Sequence, residues 1–159
     1  MRNVFVSYSH KLDQDDADEF RERFGNDNMV FHDWSLENQD FGDMKDDTIK
    51  NVYIRPKIRR SSVTIVLIGK ETGNRWWVDW EIYYSMLKTK DNDRNGVLGI
   101  RLPNKEHNTP KRMLVNKNYC QIIDMPETRE ILVGAIEAAY IVSRNTDPDL
   151  SMPLRKRNS

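Results

Sequence analysis

The chain has 159 residues, the size of one globular domain, with 38% apolar and 31% charged residues. Its 25 basic and 25 acidic residues cancel, which argues against a general nucleic-acid binder, and its longest apolar run, residues 63–68, is too short to span a bilayer. A single cysteine, Cys120, excludes an internal disulfide, and Met1-Arg2-Asn3 runs straight into strand-like sequence, so a cytoplasmic protein without an export signal is expected.

Val4-Phe5-Val6-Ser7-Tyr8 is a short apolar run ending in polar residues, the pattern of a buried strand that opens into a loop. Residues 13–24 follow with Ala17, Phe20 and Phe24 at helical spacing and acids in the first turn, where the helix dipole favours them. After the turn Gly25-Asn26-Asp27-Asn28, residues 29–34 form a second, poorer strand expected near a sheet edge. Residues 47–54 read as a second helix with Ile49, Val52 and Tyr53 on one face, which Pro56 should end or kink. Residues 62–68 make the strongest strand, the expected centre of a sheet. Residues 74–88 form a third, aromatic helix, residues 96–102 a fourth strand, and 103–115 a long polar loop with room for a helical turn. Residues 119–124 are a fifth strand, opened by Cys120 as a small core residue. A last helix over 126–143 carries Leu132, Ala135, Ile136, Ala139 and Tyr140 on its apolar face. Residues 1–145 thus make one domain. Residues 146–159, with two prolines and Arg155-Lys156-Arg157, are a basic tail expected to be loosely ordered.

Charge is unevenly placed along this order. Residues 1–47 hold 13 acids and 5 bases and the remainder 12 acids and 20 bases, net −8 and +8. Identical subunits carrying such a dipole attract head to tail, although solvated helix faces distributed by chance give the same count.

Strict alternation of strand and helix calls for a doubly wound α/β fold, a parallel sheet with helices on both faces. Five such units most often take the flavodoxin-like order 2-1-3-4-5, and ligands then bind outside the carboxyl ends of the first and third strands. Those ends lead into residues 7–12 and 69–77. The first loop has no glycine and turns acidic, so it does not suit a flavin phosphate. The third strand ends Ile68-Gly69-Lys70, without the phosphoacceptor Asp of a receiver domain. No Gly-x-Ser-x-Gly elbow supports a serine hydrolase. His10, His32, His107 and Cys120 have no zinc spacing, so neither a metal nor a resident cofactor is expected.

What the crevice does offer is a carboxylate. At about 100° per residue, Trp77 and Glu81 share one helix face, while Trp80, Tyr84 and Leu87 point toward the core. Glu81 lies one to two turns into a helix that begins at the ligand edge, with Trp77 as an apolar wall suited to a ribose or a flat ring. The bland alternative is an exposed helix acid paired with Lys88 or Ser85. Ser7, Tyr8, Ser9 and His10 form the other wall, where hydroxyls and an imidazole can hold phosphate or ribose oxygens; Ser9 or Asp13 would serve equally as a helix cap. Lys70 and Arg75 flank the start of the third helix, placed for a pyrophosphate or simply for surface charge.

Strand one as Val4-Phe5-Val6-Ser7-Tyr8-Ser9-His10, strand three as Val63-Thr64-Ile65-Val66-Leu67-Ile68-Gly69, and Trp77-Val78-Asp79-Trp80-Glu81 together resemble the TIR-domain family. More narrowly they resemble the bacterial TIR-like branch of the Thoeris anti-phage defence systems, over the chain up to Asn145. In catalytic TIR domains NAD cleavage depends on a Glu within Trp-x-x-x-Glu on the third helix, a spacing that Trp77 and Glu81 match. The resemblance therefore implies a NAD nucleosidase or ADP-ribose cyclase with Glu81 catalytic and Trp77 beside it, and the crevice residues Ser7, Tyr8, Ser9, His10 and Lys70 are then expected to bind substrate with Trp77. NAD is then a substrate rather than a cofactor. The resemblance further implies self-association, a phage-derived trigger, and a separate effector protein that reads the linear or cyclic product. Neither nucleic acid nor membrane is an expected partner. The stretch Ser35-Leu36-Glu37-Asn38-Gln39-Asp40-Phe41-Gly42 lacks the Arg-Asp-x-x-Pro-Gly of receptor-type TIR domains, so receptor-style adaptor docking is not expected. The alternative is a non-catalytic TIR-like module that acts by self-association or docking.

Overall fold

The computed structural model describes residues 2–32, 50–90 and 93–156. In chain order these form β1 (Val4–Ser7), α1 (His10–Phe24), β2 (Met29–Phe31), a π-helical turn (Lys50–Ile54) running into α2 (Arg55–Arg59), and β3 (Val63–Ile68). A 3-10 turn (Thr72–Asn74) then leads into α3 (Trp76–Met86), followed by β4 (Gly96–Arg101), α4 (Lys111–Val115), β5 (Cys120–Asp124) and α5 (Arg129–Asn145). The sheet has the order β2-β1-β3-β4-β5 with every neighbouring pair parallel, the doubly wound flavodoxin-like arrangement that alternation predicts. Asp33 and Trp34 of the expected second strand, the stretch 35–42, residues 47–49 of the expected second helix and the last three residues of the chain lie outside the described residues.

Strand composition follows position in the sheet. β1 and β3 are buried along their whole length, whereas the edge strands β2 and β5 are partly exposed. Period-two alternation splits their side chains between two cores. Val4, Val6, Ile65, Leu67, Leu98 and Ile100 face α1 and α5, meeting Ala17, Phe20, Phe24, Leu132, Ile136 and Ala139. On the opposite face Phe5 meets Ile58 of α2 and Trp80 and Tyr84 of α3, while Val66, Ile68 and Val97 meet Val78, Ile82 and Met86 of α3. Each such side chain contributes roughly 1.5–3 kcal/mol by burial.

Local chemistry moves several boundaries. α1 begins at His10 and departs from helical geometry at Asp13 (φ −117°, ψ 15°). Pro56 does not stop the second helix, because it falls in the first turn of α2, where a missing N–H goes unnoticed. The last helix is opened by Thr128 rather than Pro126, its hydroxyl accepting from the Ile131 N–H at 3.2 Å. Cys120 is a free, buried thiol that burial pushes up to about 12, which leaves it inert. No helix among the described residues is long and apolar enough to cross a membrane.

The tail departs furthest from expectation: residues 146–156 are tied down. Asn116 donates from Nδ2 to the Asp149 carbonyl at 3.1 Å and accepts the Asp149 N–H at 2.6 Å. Arg112, fully buried, donates to the carbonyls of Met152 and Pro153 at 3.1 Å each and forks onto Asp79 of α3 at 2.9 and 3.2 Å. The Arg155 N–H closes the strap on Asp79 Oδ2 at 2.8 Å, and Leu150 and Leu154 pack onto the two α3-side cores. A buried guanidinium must place five N–H donors, and the tail supplies carbonyls that α3 alone does not.

Candidate functional site

The parallel register aligns the carboxyl ends of β2, β1 and β3, so three side chains from separate elements meet there. Ser7 is the last residue of β1, paired with Val66 of β3. His32 directly follows β2, fixed by its N–H on the Val6 carbonyl at 2.7 Å. Glu81 stands in the second turn of α3 and has no exposed surface. Ser7 Oγ donates to Glu81 Oε1 at 2.6 Å, and His32 Nδ1 lies 2.7 Å from Glu81 Oε2. An ionised carboxylate only accepts, so this pair places the imidazole proton on Nδ1.

Aromatic rings wall this group. The His32 ring stands 6.0 Å from that of Trp77 and 6.3 Å, edge-on, from that of Tyr8, and Trp76 stacks on Trp77 at 4.0 Å. Trp77 and Tyr8 are themselves buried, and the Tyr8 hydroxyl donates to Gln14 Oε1 at 2.8 Å. Glu81 is thus not a surface acid paired with Lys88 or Ser85; Ser85 Oγ donates instead to the Glu81 backbone carbonyl at 2.7 Å. The two hydrogen bonds to the Glu81 carboxylate are charge-assisted, and the low local dielectric strengthens its pull on positive charge developing nearby.

The other expected site residues occupy different surroundings. Ser9 holds the N-cap position of α1, buried, yet makes no capping bond, and its Oγ has no partner among the described residues. His10, half-buried, is the first residue of α1. Lys70 is exposed in the turn after β3, and no hydrogen bond or ion pair joins it to Glu81. Arg75 caps the start of α3 and pairs with Glu71. His107, exposed in the loop after β4, has its Nε2 2.6 Å from the Leu102 carbonyl. The structure therefore gathers Ser7, Tyr8, Trp77 and Glu81 around one group and leaves Lys70 outside it. His32 is the addition that sequence spacing missed. Its signal was positional: the order 2-1-3 puts the residue after strand two beside the end of strand one. Among the described residues no group of three or more His, Cys, Asp or Glu stands together to hold a metal ion.

A second ion cluster closes the α1 side of the crevice. Asp13 has no exposed surface and packs on Gly69, where a Cβ would sit 2.4 Å from Asp13 Oδ2. Lys105, from the loop after β4, bridges Asp13 Oδ1 at 2.7 Å and Asp16. Gly69 is required by this close approach rather than by its own backbone angles.

Among known families, the one described as Thoeris protein ThsB, TIR-like domain, matches residues 5–107, about two thirds of the chain, from the second residue of β1 through the end of β4. No curated protein matches.

Proposed function

Because the chain belongs to the TIR-like domain family of Thoeris protein ThsB, an anti-phage defence family, we propose that it is an enzyme that cleaves the nicotinamide–ribose bond of NAD. The observation that carries this reading is the buried Glu81 carboxylate, held through both oxygens by Ser7 and His32 at the carboxyl ends of β1 and β2. Nicotinamide in NAD is already cationic and departs as a neutral base, so no general acid is needed. The ribose left behind takes on oxocarbenium character, and a preorganised carboxylate lowers the energy of that charge. Attack by water gives ADP-ribose, nicotinamide and a proton; attack by a group of the same nucleotide gives a cyclic product. His32 and Ser7 act as positioning residues, and Trp77 and Tyr8 keep water from the carboxylate. A separate defence protein reads the product, in keeping with a family that works alongside other defence proteins.

Glu81 is fully closed off, so turnover requires a rearrangement that admits the nucleotide. This suits an enzyme switched on by a phage-derived trigger or by self-association. The same burial favours one other reading, in which Glu81 is a structural tie between β1, β2 and α3 in a docking module. The experiment separates the two. Protein mixed with NAD and extract of phage-infected cells is assayed for nicotinamide release, beside Glu81→Gln and His32→Asn, with circular dichroism of each. Glu81→Gln keeps the shape and should lower turnover by at least about 10²–10³ with the fold intact. His32→Asn retains a donor where Nδ1 stood and should keep more activity than His32→Ala. Wild-type rates from Glu81→Gln would sink the assignment, and a destabilised Gln variant of an inactive protein would favour the structural tie.

A further inference from the structure

On the side of α3 turned away from Glu81, a cavity of about 430 Å³ opens between the 3-10 turn, the start of α4 and the C-terminal strap. Asp79, which lines it, is two residues from Glu81, about 200° around the helix. The volume lies within the usual range of small-molecule sites, roughly 300–1,000 Å³. Four cations line it, Arg75, Lys111, Arg155 and Lys156, against the single acid Asp79. That acid is already satisfied by Arg112 Nε at 2.9 Å and by the Arg155 N–H at 2.8 Å. Arg75 pairs with Glu71 through Nη2, while its Nε–H is buried and has no partner among the described residues. Lys111 and Lys156 are exposed, and no hydrogen bond or ion pair engages either among the described residues. Pro110, Met152 and Pro153 give the same cavity an apolar wall.

We propose that this cavity binds a nucleoside diphosphate, its phosphates among Arg75, Lys111, Arg155 and Lys156 and its base against Pro110, Met152 and Pro153. Phosphate oxygens suit the two lysine ammoniums, which no protein group engages among the described residues, and four cations gathered around one cavity favour an anion over a neutral ligand. A flat base suits the proline and methionine surface. Four of the ten lining residues belong to the strap, so ligand and strap hold one another in place, and occupancy bears on α3 through Asp79. The proposal is independent of NAD cleavage, since it uses the opposite face of the helix.

The test is calorimetric titration of the full chain with ADP, adenosine and inorganic pyrophosphate. ADP should bind in the micromolar range, pyrophosphate more weakly and adenosine not detectably. Lys111→Ala with Lys156→Ala should weaken ADP at least tenfold; both keep the fold, because both side chains are exposed and no hydrogen bond or ion pair engages either among the described residues. Glu81→Gln should bind ADP as the wild type does. No binding of ADP up to about 1 mM overturns the proposal. So does adenosine binding as tightly as ADP, or ADP binding that Glu81→Gln weakens and the double variant leaves intact, which would place the nucleotide in the other crevice.

Discussion

Asp13 has no exposed surface, and burial raises its carboxyl above the usual aspartate range even though the Lys105 ammonium pulls the other way. Lys105, which burial would lower, is raised overall by its bonds to Asp13 and Asp16. A carboxyl whose folded value exceeds its unfolded value of 3.8 holds its proton more tightly in the native state. The stability it contributes is therefore complete below that pH and lost as pH rises through the raised value. The stability difference between Asp13→Asn and wild type, measured by urea melts, should grow with pH from about 3.8 toward neutrality. Parallel curves would mean that Asp13 titrates as it does in water. At this scale the sequence was legible where residues share one helix face, as Trp77 and Glu81 do. It was illegible where partners come from separate elements. Nothing in the spacing of His32 or Lys105 announces a carboxylate 49 or 92 positions away. Asp13 looked like a cap because helix starts favour acids, yet its carboxylate turns to Gly69 and Lys105 instead.

Among elements, α3 carries the most competing demands. Its apolar residues close two cores, Glu81 reaches the sheet edge, and Asp79 anchors the strap through Arg112. Removing one partner of a buried ion pair strands the other, at a cost of about 3–5 kcal/mol. Arg112→Met keeps the side-chain bulk but leaves Asp79 charged and two tail carbonyls unbonded. Its unfolding free energy from urea melts should fall by that amount, and limited proteolysis should cut the chain faster beyond Arg144. Unchanged stability with an uncut tail would mean that the pair does not hold the strap. The alternation of β and α was readable from hydrophobic period alone, and β1, β3 and β4 sit where apolar runs lie. The strap was not, because composition registers prolines and charges and is blind to backbone carbonyls. Leu150 and Leu154, four residues apart, were its one apolar clue.

Across the whole molecule, net charge divides along the chain, −8 over residues 1–47 and +8 over the remainder. α1 exposes Asp15, Asp18, Glu19 and Glu22 beside Lys11, Arg21 and Arg23 on one side of the sheet, and α2 ends in the exposed Arg59 and Arg60 on the other. Opposed charges on one chain suit a head-to-tail stack, whose contact repeats from copy to copy. We expect association that rises with protein concentration and weakens as salt goes from about 0.05 M to about 1 M, where the Debye length falls to about 3 Å. Sedimentation velocity at both salts checks this, with nicotinamide release followed in parallel. A monomer at every concentration and salt would discard the stack. Salt-sensitive stacking without turnover, trigger present, would favour the docking module.

The aromatic wall has an optical consequence. Three of the four tryptophans of the chain, Trp76, Trp77 and Trp80, lie within one helix, two of them ring on ring and the third stacked on Tyr84. Indole emission shifts to longer wavelength when water reaches the ring, and Trp77 is only 5% exposed at rest. Trp77 stands one turn from Glu81 and beside His32, so an event that moves this wall changes the surroundings of its ring. The protein's own fluorescence thus follows the opening of its crevice in real time, without a label and without waiting for product.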